Sequence, residues 1–166
     1  ITEESPQGTG ERDYALLYIS KSIGNDPLPA YFPSIPFNTD LVSRGAEGKN
    51  IVTGGYPAAP LLRSGADAKL YAVIASSTVT SLYTFGSNYA DLMAIGESAV
   101  GEHGASGGPI VYSDTKNVVG LIVTKGEEAT EGAQSLRAIT LSYIDRTITE
   151  ETGFSLAQNM QGDVAY

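Results

Sequence analysis

The sequence contains no cysteine and no tryptophan, a single histidine, and 10 lysines and arginines against 19 aspartates and glutamates. Without cysteine there is no disulfide framework and no thiol chemistry. With one histidine and no cysteine there is no nitrogen–sulfur ligand set for zinc. The net charge of −9 and the absence of any basic cluster exclude a nucleic-acid binder, which needs a cationic face to displace phosphate counterions. The same deficit excludes an anionic membrane surface as partner. No apolar run approaches the ~18 residues that span a bilayer, and no secretory leader is visible. The chain starts at Ile1 rather than methionine, so the expectation is that an upstream part has been removed.

The 166 residues are 42% hydrophobic and 17% charged, with 19 glycines and 8 prolines. That composition belongs to a globular chain long enough for one domain or two small barrels. Turn-formers between short apolar runs indicate an all-β protein. Asp13–Ser20 reads as a compact apolar strand. Residues 24–36 hold Pro27, Pro29, Pro33 and Pro36, and each proline removes a ladder donor, so this run reads as an extended connector. Asn50–Thr53, Lys69–Ala75, Val79–Phe85, Asp91–Ile95 and Leu136–Leu141 read as further strands. Pro109–Tyr112 and Val118–Thr124 flank the polar turn Ser113–Asn117 and read as a hairpin. Ser142–Thr149 and Phe154–Met160 are the expected helices. The parts are then 1–38, a strand plus connector; 39–141, a closed β-barrel; and 142–166, a C-terminal helix and tail.

The chemistry concentrates in Gly104-Ala105-Ser106-Gly107-Gly108-Pro109. A serine hydroxyl needs an adjacent base to become a nucleophile, and the oxyanion formed on its attack needs backbone N–H donors. Gly104 and Ser106 are the candidate donors, with glycine at 104 permitting the unusual dihedrals required. Five fixed residues of this kind recur by chance at roughly one in a million positions, given ordinary glycine and proline usage.

This G-x-S-G-G-P pattern resembles the nucleophile loop of trypsin-like (chymotrypsin-fold) serine peptidases. Asp13-Tyr14-Ala15-Leu16-Leu17 is similar to the segment that holds that family's triad aspartate, and it precedes Ser106 in the family's order. Gly54-Gly55-Tyr56-Pro57 looks like a turn of the second barrel, and Val118–Ile122 looks like the strand after the nucleophile. The resemblance implies a chymotrypsin-like antiparallel β-barrel, the second barrel complete and the first partial, with a C-terminal helix. It further implies Ser106 as nucleophile, Asp13 as the orienter of a histidine base, and Gly104 with Ser106 as the oxyanion hole. Thr124, Lys125 and Gly126 would lie along the substrate backbone, Val100 at the base of the specificity pocket, and His103 at its entrance. No carboxylate at position 100 argues against a strict arginine or lysine preference. Arg137 in a pocket wall would favour acidic side chains, the alternative being a surface role. No metal and no organic cofactor are implied, and a monomer acting on peptide or protein is expected, exported to the periplasm or medium.

Two departures stand out. The family's histidine precedes the aspartate, whereas here the sole histidine is His103, three residues before Ser106 and on the lip of the loop. The base is therefore expected outside these residues, which alone would be nearly inert. Ala105 replaces an aspartate that many relatives pair with a newly cut N-terminus, so Ile1 is not such an activation terminus. The competing reading is an inactive homologue that holds a peptide in the cleft. A purely structural β-domain must treat the serine loop as accidental.

Overall fold

The structure, a computed structural model, describes residues 2–3, 11–56, 58, 71–100, 104–125 and 136–161. Strands run in the order β1 (Thr2–Glu3), β2 (Asn50–Gly55), β3 (Val73–Thr84), β4 (Leu92–Ile95), β5 (Pro109–Tyr112), β6 (Val118–Lys125) and β7 (Leu136–Thr140). Two helices follow, α1 (Leu141–Thr152) and α2 (Leu156–Gln161). The sheet order β3-β2-β5-β6-β7-β4 closes on itself through a β3–β4 pairing. Every ladder of that ring is antiparallel, so six strands form a closed barrel with no free edge within the ring. The two-residue β1 joins β3 from outside, in parallel.

Period-two alternation sorts the side chains into two cores. Ile51, Val79, Met93, Ile95, Ile110, Val119, Ile122, Leu136 and Ala138 form one buried cluster, which fills the barrel. Leu92, Val118 and Ile139 face the other way and meet Leu141, Tyr143, Ile144, Ile148 and Leu156 of the helices. Thr140 caps α1 by accepting from the Tyr143 N–H at 3.2 Å, and Gly153 ends it in a left-handed conformation with φ 79°. The Asp145 carboxylate accepts from the Leu156 N–H at 2.7 Å, which ties the start of α2 to α1. None of the described helices is long and apolar enough to cross a membrane.

Three expected strands differ. Positions 73–84 form one twelve-residue strand, not two. Its first half pairs with β2 and its second with β4, and a register shift near Val79–Ser81 marks the handover. The polar run Ser76-Ser77-Thr78 therefore lies inside a strand that changes partner rather than in a turn. Asp13–Ser20, expected as a strand, has no regular structure. No described strand pairs with it, and Leu17 and Tyr18 are 89% and 88% exposed. β-propensity expresses packing on a pleated surface, so an apolar run without a neighbouring strand has nothing to hold it extended. The proline-rich connector, residues 24–36, contains no helix or strand and bends at Gly24–Asp26 and Ala30. Its end is fastened to β6, where the Val118 N–H donates to Pro36 O at 2.8 Å and the Asn38 N–H to Val118 O at 2.9 Å.

Candidate functional site

The serine loop is joined to the barrel on both flanks. The Gly107 N–H donates to Ile122 O of β6 at 2.7 Å, and the Ile122 N–H returns to Gly108 O at 2.8 Å. The Gly108 N–H closes the turn onto Ala105 O at 2.9 Å. On the other flank the loop presses against the end of β2. A Cβ on Gly104, whose φ is 98°, would stand 2.5 Å from Tyr56 O and 3.1 Å from Ala58 N. A Cβ on Gly108 would stand 2.2 Å from Gly54 O. Both glycines are therefore required by close approach, and Gly104 by its backbone angle as well. Ala105 is sunk in the barrel core at 2% exposure, while Ser106 beside it is exposed. The alternation makes Ser106 the projecting apex of a turn anchored from below.

The Gly107 N–H is engaged by β6 and the Gly108 N–H inside the loop. Among the described residues the N–H groups of Gly104 and Ser106 donate to nothing, and the Ser106 hydroxyl has no hydrogen-bond partner. Two unused donors flanking an exposed hydroxyl form the arrangement that can receive a developing oxyanion.

Val100 is fully buried in the barrel cluster together with Ala105. A Cβ on Gly55 would come within 2.9 Å of the Val100 Cγ1 and 3.2 Å of the Ala105 Cα, so the three residues pack as one layer beneath the loop. Thr124 and Lys125 follow Ile122 on β6, opposite Arg137 and Leu136 of β7. The backbone that continues from the loop's hydrogen-bonding partner thus contains both positions. His103 and Gly126 lie outside the described residues. The Arg137 guanidinium stacks over the Tyr83 ring at 4.8 Å, and desolvation by burial lowers its pKa. Tyr83 packs against the helix-facing cluster, so Arg137 belongs to the outer face of the barrel.

Asp13 is exposed and accepts no hydrogen bond or ion pair among the described residues, and none joins it to Ser106. Its neighbours are fixed. The Arg12 guanidinium pairs with Glu151 of α1, and the Tyr14 hydroxyl bonds the Thr147 Oγ1 at 2.6 Å. Tyr14 and Val123 of β6 both pack against the helix-facing cluster, so the Asp13 segment and the strand leading from the serine loop share one apolar support.

Among the described residues the most heavily bonded carboxylate is Asp91, in the sequence only the first residue of an expected strand. It has no exposed surface. One oxygen accepts from the Thr84 hydroxyl at 2.9 Å, the Phe85 N–H at 2.8 Å and the Ser87 hydroxyl at 2.6 Å. The other accepts from Arg146 of α1, whose guanidinium also lies 4.7 Å from the centre of the Tyr89 ring. All its partners are protein groups, and it locks α1 to the β3–β4 turn. Its closest sequence signal is an aspartate heading the apolar run Leu92–Ile95; Arg146 lies 55 residues away and nothing local links the two.

The chain matches no protein-family model, and no curated protein matches it. Its function is read from the serine loop and what surrounds it.

Proposed function

We propose that this chain is the nucleophile-bearing part of a chymotrypsin-like serine endopeptidase. The observation that carries the reading is the loop: Ser106 exposed at the apex of a glycine turn, with the Gly104 and Ser106 N–H groups undirected and those of Gly107 and Gly108 engaged. Ser106 Oγ attacks the peptide carbonyl carbon and loses its proton to a histidine supplied from outside these residues. The carbonyl oxygen becomes the oxyanion, held by Gly104 and Ser106. Collapse breaks the C–N bond, the base returns the proton to the leaving amine, and water then releases the acyl group by the same route. Asp13 orients the base and stabilises its charged form. Thr124, Lys125 and Gly126 guide the substrate backbone. These residues by themselves retain only the residual catalysis of an oxyanion site, about 10³–10⁴ over water.

The second reading, a peptide-binding module without catalysis, is favoured by one observation: neither Ser106 nor Asp13 has a hydrogen-bonding partner that could serve as base among the described residues. N-terminal sequencing and intact mass of the native protein, together with labelling by a serine-reactive phosphonate, separate the two. The peptidase reading expects a histidine-bearing segment, labelling at Ser106, and loss of both labelling and hydrolysis in Ser106→Ala. A native protein without that histidine, and without labelling, leaves the binding module.

A further inference from the structure

Asp13 carries the least support of any proposed site residue, since the apolar run after it has no sheet to join. What fixes it lies at its two neighbours. Arg12 has a left-handed backbone, φ 60°, a conformation that a side-chain-bearing residue adopts only when its surroundings impose it. Here the Tyr14 N–H donates to Arg12 O at 2.9 Å, closing a tight corner, and the Arg12 guanidinium is held by Glu151. On the other side stands the Tyr14–Thr147 bond. Thr147 Oγ1 already donates its one proton to the helix carbonyls of Tyr143 and Ile144, at 3.0 and 3.1 Å. It therefore accepts from Tyr14, and the phenol is the donor. Asp13 sits at a corner clamped from both sides by a single helix, with its own carboxylate left free.

We propose that α1 is the positioning element for Asp13, with Thr147, acting through Tyr14, and Glu151, acting through Arg12, as positioning residues. The inference rests on the peptidase reading above. It adds that the aspartate's place is set by the helix after the barrel, not by a strand of its own. A hydroxyl acceptor in a helix and a phenol donor beside the aspartate form a joint that fixes a distance, and a displacement of about 1 Å at a catalytic group can cost on the order of 10²-fold in rate.

The test uses native protein with Tyr14→Phe, Thr147→Val, Thr147→Ser and Asp13→Asn. Tyr14→Phe removes one oxygen and keeps the ring, and Thr147→Val removes the same bond from the other side without changing shape. The expected result is a 10- to 100-fold fall in kcat for each, KM unchanged, no further loss in the double variant, and recovery in Thr147→Ser. A structural role alone would lower the melting temperature and leave kcat of the folded enzyme intact. Should Asp13→Asn cost about 10⁴-fold while Tyr14→Phe and Thr147→Val both stay within twofold of the parent, the positioning role is wrong and the peptidase reading stands. Should Asp13→Asn leave kcat unchanged, the assignment of Asp13 itself fails, and the helix has nothing to position.

Discussion

The two left-handed glycines of the serine loop separate backbone strain from steric contact. Gly104 and Gly107 have φ of 98° and 83°, so alanine at either position strains the backbone by roughly 1–2 kcal/mol. Their surroundings differ. A Cβ on Gly107 meets nothing within 4 Å, whereas one on Gly104 meets the Tyr56 carbonyl at 2.5 Å. Ordinary contact begins at 3.4 Å, so the loop and the end of β2 must separate by about 0.9 Å. Tyr56 continues a strand paired to both β3 and β5, and the displacement falls on the loop. Oxyanion donors act over a window of only about 0.4 Å in distance, and losing one costs about 10²–10³ in kcat. Gly104→Ala should therefore lose about 10²–10³ in the rate of Ser106 phosphonylation. Gly107→Ala should lose stability of about 1–2 kcal/mol with much less change in rate. Urea unfolding measures the first quantity and labelling kinetics of the folded fraction the second. Equal labelling rates in the two variants would refute the assignment of the Gly104 N–H as a donor.

Two further expectations concern the support of the site. Asp91→Asn must set an amide N–H₂ against either the Thr84–Phe85–Ser87 donors or Arg146, because both carboxylate oxygens are accepting. Breaking such a buried pair costs about 3–5 kcal/mol, and the 26% exposure of the Arg146 side chain places the loss near the lower figure; a urea midpoint shift worth under ~1 kcal/mol at unchanged m-value would count against it. Tyr143 is pushed up to about 12 by burial, then by the carboxylates of Glu11 and Asp91. Unfolded tyrosine titrates near pH ~10, so between about pH 10 and 12 the unfolded chain binds fewer protons than the folded one and stability falls as pH rises. The contribution is whole below pH ~10 and amounts to about 1–3 kcal/mol. Tyr143→Phe should flatten the alkaline decline in urea midpoints, and tyrosinate absorbance should lose a late-titrating phenol in that variant.

The barrel was legible in the sequence because its signals are local. The short apolar runs Asn50–Thr53 and Leu136–Leu141, and the polar turn between Pro109–Tyr112 and Val118–Thr124, state their strands within a few residues. The serine loop was legible for the same reason, six consecutive residues containing both the hydroxyl and the glycines its turn requires. β3 was read as two strands because its change of partner, from β2 to β4, is a property of the closed ring and leaves only a polar stretch in the chain. Asp13–Ser20 was read as a strand because its composition suits a pleated surface, and composition does not say whether such a surface is at hand.

The two aspartates show where reading from sequence stops. Asp13-Tyr14-Ala15-Leu16 and Asp91-Leu92-Met93-Ala94 are near-identical patterns, an acid at the head of an apolar run. Topology gives them opposite fates. Asp91 ends between a β-turn and a helix, where three donors reach one of its oxygens and Arg146 the other. A carboxylate with no exposed surface is out of reach of an incoming imidazole, and it is already committed to joining α1 to the barrel. Asp13 has both neighbours bonded to the same helix and its own oxygens open. Orienting a base requires a carboxylate that is held in place yet still able to accept; the proposed role of Asp13 beside Ser106 draws on its oxygens accepting nothing among the described residues.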